Sequence, residues 1–235
     1  MRLLSGRGLL FLFVVVIGSA APNTIHAQEP DLLLEKVMQN DLGAAKELVA
    51  SGADIDQQNQ YGHTPLIIAS NYGFEEIASF LISAGADIHV QGSDGATALI
   101  AAASHSRELV EILLSKGADI NAKLSNGTGA FTQSTNGVLM ERVSLEVAEL
   151  LLANGADVDE APSEGGSEGH TSLIRAAGND HEGLVRFLIE HGADVNAKAK
   201  NGSTPLSVAV DSGNQAIADI LKAAGAKAPG IPPGP

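Results

Sequence analysis

Between Tyr61 and Asp87 the order of apolar and polar positions predicts two short helices. Leu66, Ile67 and Ala69 form one apolar face, Asn71–Gly73 interrupts it, and Ile77, Phe80, Leu81 and Ile82 recur at helical spacing in a second run. Thr64-Pro65 is a start signal, a hydroxyl cap followed by a proline that fits the first helical turn. Gly85 is a stop signal, placed where a left-handed residue ends a helix. Asp87–Gly95 is then polar and closes in a tight Asp-Gly turn.

This block recurs along the chain. "GAD" begins at Gly52, Gly85, Gly117, Gly155 and Gly192, and "GAK" follows at Gly225, with spacings of 33, 32, 38, 37 and 33 residues. A period near 33 marks a stacked array in which each unit buries its apolar face against its neighbours. The elements "HTPL" at His63, "STPL" at Ser203, the weaker "ATAL" at Ala96 and "HTSL" at His170, and the endings "LLSKGAD" and "LLANGAD" resemble the ankyrin repeat family. The resemblance covers Leu32 to Ala226. It implies an all-α repeat solenoid of about six units, each a helix-turn-helix pair, joined by projecting β-hairpin fingers. The units start near Asp31, Gly62, Gly95, Gly127, Gly169 and Gly202. The first lacks a preceding finger and the last runs into a proline-rich end, so these two cap the apolar stack. The family's histidine after T-P-L is replaced by Ile67, Ile100, Ile174 and Ser207, which removes a Thr–His hydrogen bond.

Two neighbouring stretches break the register. The segment from Gly127 to Gly155 is five residues longer than the usual 23, with Gly129 where the capping threonine belongs and Asn136-Gly137 reading as a turn inside the first helix. The finger from Gly155 to Gly169 is four residues longer than the usual 10 and is rich in Glu and Gly. Two adjacent insertions in an even array predict a local bulge. Removing Asn136–Met140 is expected to leave a folded chain with altered binding.

The ends of the chain read differently. Arg2 and Arg7, the apolar run Leu9–Ile17 and the small residues after it form the pattern of a secretory signal peptide. The run is shorter than the ~20 residues a membrane span needs. We expect cleavage after Ala27, with an earlier cut near Ala20 or Ala21 as the alternative. The chain then divides into residues 1–27 (signal peptide), 28–227 (repeat domain) and 228–235 (Pro/Gly-rich tail), and the expected location is periplasmic or secreted. The formal charge is −14 for the whole chain, and loss of two arginines with the leader makes the mature chain more acidic still. That disfavours nucleic acid and anionic membranes as partners and admits a basic protein. There is no cysteine, so packing alone must stabilise an exported chain.

The chemistry-bearing residues do not assemble into a reactive motif. The histidines lack metal-ligand spacing, and "EGGSEG" lacks the lysine and hydroxyl of a phosphate-binding loop. Asn126 and Asn201 begin N-x-[ST] sequences, which also fall where Asn-Gly turns are expected. Glu141, Arg142 and Ser144 are the reactive groups of the irregular unit, without a positioned base. No catalytic, cofactor or metal residue is expected. The resemblance instead implies binding on one concave face of fingers and inner-helix ends. Its finger residues are Gln58, Gln60, Tyr61, His63, Val90, Gln91, Lys123, Leu124, Lys198 and Lys200, and its helix-end residues are Asn71, Tyr72, Ser104, His105 and Asn179. Both tyrosines of the chain fall in this set, a residue type enriched at binding hot spots. Lys123, Lys198 and Lys200 flank the acidic finger, an alternation of sign suited to setting register with a partner. The expected function is that of a monomeric, non-enzymatic protein-binding scaffold in the cell envelope with an exported protein as partner. The alternative is an accessory or immunity protein that inhibits or protects an exported enzyme such as a toxin, phospholipase or catalase.

Overall fold

A computed structural model describes residues 32–227, all of which fall in one compact unit. The expected signal peptide and the Pro/Gly-rich tail lie outside the described residues.

Twelve helices pair into six units among the described residues. The first helices of the pairs are α1 (Leu32–Met38), α3 (Pro65–Tyr72), α5 (Ala98–Ala102), α7 (Ala130–Leu139), α9 (Ser172–Gly178) and α11 (Pro205–Asp211). The second helices are α2 (Leu42–Ala50), α4 (Glu75–Ser83), α6 (Arg107–Ser115), α8 (Leu145–Ala153), α10 (Glu182–Glu190) and α12 (Gln215–Ala223). Each first helix packs on its own partner and on the first helices of adjacent units, and the second helices pack on one another from α2 to α8 and from α10 to α12. The all-helical repeat solenoid read from the sequence is the observed architecture.

Local chemistry sets the helix ends. Thr64, Thr97, Thr171 and Thr204 each accept a hydrogen bond from the backbone N–H three residues on, at 3.2–3.4 Å. A cap of this kind contributes about 1 kcal/mol. Ser207, at the position expected to have lost its side-chain bond, accepts from the Thr204 backbone N–H at 2.9 Å and completes a reciprocal capping box. At the other end of each pair the "GAD" glycine is left-handed, with Gly85 at φ 97°. Ala86 N–H then reaches Leu81 O and Gly85 N–H reaches Ile82 O, which satisfies the last carbonyls of α4.

The core is a thin double layer of Leu, Ile, Val and Ala, with Leu66, Ile77, Leu81, Leu99, Leu109, Leu151, Leu173 and Leu184 among the fully buried side chains. Each buried leucine contributes about 1.5–3 kcal/mol. Phe131 is the one aromatic of this fully buried group.

Two expectations need correction. The fingers are not β-hairpins with strands: among the described residues the only bridge is between Lys123 and Gly129. A regular finger is a tight turn closed by two main-chain bonds, as from Asn59 N–H to His63 O and from Gly62 N–H to Asn59 O, and the acidic finger closes from Gly169 N–H to Pro162 O. Successive fingers are then linked by main-chain bonds from Ser93 to Tyr61, Ser125 to Asp94, Ser163 to Asn126 and Lys200 to Glu168. Nor is Asn136-Gly137 a turn. α7 continues through both to Leu139, and a Cβ at Gly137 would come within 2.9 Å of Ser104 Cα and 2.7 Å of Val143 Cγ2. The glycine is there for close approach to the end of α5, and tertiary packing overrides its poor helix propensity. The five extra residues lengthen α7 and form the loop Met140–Val143 before Ser144, which opens α8.

Candidate functional site

The residues expected to bind a partner fall into two groups at opposite ends of the first helices. The eight residues of α3 span about 12 Å, with the fingers before it and Asn71 and Tyr72 at its end.

In the finger group, several polar side chains already hold neighbouring fingers together. His63 Nε2 lies 3.0 Å from the Asp94 carboxylate. Burial alone would raise the Asp94 carboxyl, but hydrogen bonds from His63 and the Ala96 N–H outweigh it and hold the group below its ordinary value. Gln91 donates to Gly95 O and, in the next finger, to Lys123 O at 3.2 Å. Lys123 pairs with Glu160 and Lys200 with Glu168. The alternating charges around the acidic finger thus set register between fingers of this chain. Gln58, Gln60, Tyr61 and Lys198 are exposed, and Val90 and Leu124 are half-buried. Asn126 and Asn201 turn their amide oxygens onto the backbone N–H two residues on, as finger turns require. Beside Lys200 the acidic finger frames a hollow of about 220 Å³ lined by Gly165, Gly166, Glu168, His170 and Asn201.

The helix-end group is shaped differently. Asn71, Tyr72, Gly73, His105 and Arg142 line a concavity of about 620 Å³. Tyr72 is 56 % exposed, and its ring stacks on Phe74 at 5.4 Å. Ser104 Oγ lies 2.9 Å from His105 Nδ1, and Ala101 O lies 3.3 Å from the same nitrogen. Asn179 is at the corresponding end of α9, where its amide donates to Arg175 O. Arg142 was not among the expected site residues: it rides on the inserted loop, whose landing place no spacing reveals. Ser144 makes no side-chain cap bond at the start of α8. Among the described residues no group of three or more His, Asp or Glu is placed to hold a metal ion.

Between these two groups, the fourth unit meets the fifth through polar side chains. Gly129 cannot cap α7 itself. Glu160, only 6 % exposed, reaches across from the long acidic finger and accepts from Gly129 N–H at 2.6 Å and Thr132 N–H at 3.2 Å. The second bond is the one a capping threonine makes in the regular units. A Cβ on Gly129 would sit 2.5 Å from Glu160 Oε2, so the glycine is what admits the carboxylate. Thr135 and Ser172 share a buried hydroxyl–hydroxyl bond of 2.8 Å, and Arg175 donates to Thr132 O and Thr135 Oγ1 at 3.4 Å. Burial pushes the Arg175 guanidinium below its ordinary value, and Glu160 opposes that. The helices of these two units also approach each other least closely of all neighbours in the array.

The family description "Ankyrin repeats (3 copies)" matches residues 33–123 and 139–229, most of the chain. The chain belongs to the ankyrin repeat family. The unmatched gap between the two ankyrin stretches falls on the finger and first helix of the irregular unit. Over shorter stretches the chain is similar to protein phosphatase 1 regulatory subunit 27 of Mus musculus, 42 % identical across 59 residues, or 25 % of this chain and 38 % of that protein. It is similar to the NF-kappa-B inhibitor cactus of Drosophila melanogaster, 38 % identical across 55 residues, or 23 % of this chain and 11 % of cactus. It is also similar to the ankyrin repeat and KH domain-containing protein mask-1 of Caenorhabditis elegans, 46 % identical across 52 residues, or 22 % of this chain and 2 % of mask-1. In each case the similarity spans well under two thirds of the relative's length.

Proposed function

We propose that this ankyrin array is a non-enzymatic scaffold that binds another exported protein in the cell envelope, through the face formed by its fingers and first-helix ends. The observation that carries this reading is the pair Tyr61 and Tyr72, 59 % and 56 % exposed, one at each end of α3 in a chain poor in aromatics. Large amphipathic rings left open at both edges of one face suit an interface hot spot. Ankyrin repeats imply a protein partner, and export rests on the signal-peptide pattern of the first 27 residues. The test is affinity capture from a host envelope extract on the immobilised mature chain. Wild type should retain a discrete protein, and the double substitution Tyr61→Ala with Tyr72→Ala should release it. Equal retention by both would remove this face from the reading.

A second reading makes the partner an exported enzyme that this protein inhibits or protects, whether toxin, phospholipase or catalase. It is favoured by the names of two relatives, an inhibitor and a phosphatase regulatory subunit. A captured enzyme whose turnover changes on adding the purified chain supports it; a captured protein without enzymatic activity removes it.

A further inference from the structure

We infer that the concavity at Asn71, Tyr72, Gly73, His105 and Arg142 is a recognition pocket for an acidic side chain, an aspartate or glutamate carried on a segment of the partner protein. This deepens the binding reading above and rests on it.

Charge is the first argument. The chain carries 28 acidic and 14 basic residues, yet no carboxylate lines this pocket. The exposed arginines of the described residues are Arg107, Arg142 and Arg186. Arg107 pairs with Glu111 and Glu146, and Arg186 pairs with Glu182. Arg142 makes no ion pair among the described residues, and its one side-chain bond is to His105 Nε2 at 3.5 Å.

That contact brings no carboxylate to the guanidinium. His105 Nδ1 faces Ser104 Oγ at 2.9 Å and Ala101 O at 3.3 Å, so Nε2 is the ring nitrogen turned to Arg142. A guanidinium without a carboxylate partner keeps its charge uncompensated and its N–H groups available, which suit a planar carboxylate.

Backbone strain is the second argument. Arg142 is delivered by Glu141 in a left-handed conformation, φ 56°. Among the described residues the other non-glycine residues in that region are Asn40 and Asp180, types that tolerate it; glutamate does so less readily. The strain persists because Arg142 N–H is tied to Gly137 O at 2.9 Å and Gly137 is pressed against Ser104. The insertion is thus held in one shape, and that shape places a cation over the pocket. Its lining comes from three consecutive units, so a partner segment crossing the face passes over it and presents side chains rather than a chain end. Tyr72, set by its stack on Phe74, offers an apolar surface beside the cation.

The test titrates the isotope-labelled mature chain with an acetylated, amidated Leu-Glu-Phe peptide and with its Leu-Gln-Phe counterpart, following the Arg142 Nε–H and Gly73 amide resonances. The glutamate peptide should shift both and saturate at a concentration about ten-fold lower, the effect of one charge-assisted pair. Arg142→Gln should abolish that preference, and Arg142→Lys should restore part of it. Equal titration by the two peptides, or a preference that survives Arg142→Gln in a chain with an unaltered fold, overturns the pocket. Loss of the peptide preference with intact partner capture removes the pocket alone. A peptide preference in a chain that captures no envelope protein supports the pocket and removes the partner reading.

Discussion

The second and fourth units of the array solve the same problem in opposite ways. In the second, Thr64 caps α3 from its own position, and the helix start is complete within four residues. In the fourth, Gly129 leaves α7 uncapped and the carboxylate arrives from Glu160, 31 residues along the chain, with Lys123 as its counter-charge. A self-capped unit is locally autonomous. A unit capped by its neighbour cannot complete its first helix until that neighbour's finger has docked, so the fourth and fifth units are coupled through one carboxylate. The sequence reading joined the two insertions in a local bulge; the structure places the coupling of these units at Gly129 and Glu160, two residues that stand in ordinary register outside the inserted ones.

That comparison can be broken most severely at Glu160. Glu160→Ala removes the cap and leaves the α7 amides and Lys123 without their partner, so it should lower stability by about 3 kcal/mol, seen as a lower urea midpoint. Gly129→Thr alone should cost about 2 kcal/mol, because its Cβ collides with the Glu160 carboxylate. Combining the two sharpens the test. Gly129 has extended backbone, as Thr64 has, so a threonine there can cap its own helix once the carboxylate is gone. The double variant should return to within about 1 kcal/mol of wild type; additive losses would show that Glu160 is not acting as the cap. Thr64→Ala, the matching lesion in the regular unit, should cost about 1 kcal/mol. A cost equal to that of Glu160→Ala would erase the distinction between the units. Smallest of all, Glu141→Gly relieves the left-handed strain and should raise stability by about 0.5 kcal/mol, seen as a higher urea midpoint, while weakening the glutamate-peptide preference.

Much of the candidate face was legible, because the repeat period places Tyr61, Tyr72, Asn71 and His105 relative to helices that the sequence predicts. What those side chains do was less so. His63, Gln91, Lys123 and Lys200 read as free finger residues, yet each bonds to another finger residue, and which acceptor lies within 3 Å depends on how units stack. Arg142 was missed as a site residue for a related reason, since an inserted loop has no counterpart in the other units to fix its position. Asn136-Gly137 was misread because a glycine chosen for close packing looks, in one dimension, like a glycine chosen for a turn.

The sequence by itself determined the helix pairs, their number and their ends, apart from the cap and the extent of α7. Periodic apolar positions, hydroxyl caps and left-handed glycines act over four residues or fewer, and their energetics travel with the local chain. Only the tertiary structure decided that Glu160 caps α7, that Gly137 lies within a helix, and that Arg142 stands uncompensated over His105. Each of these joins residues from different units, and such contacts exist only once the stack has brought the units together.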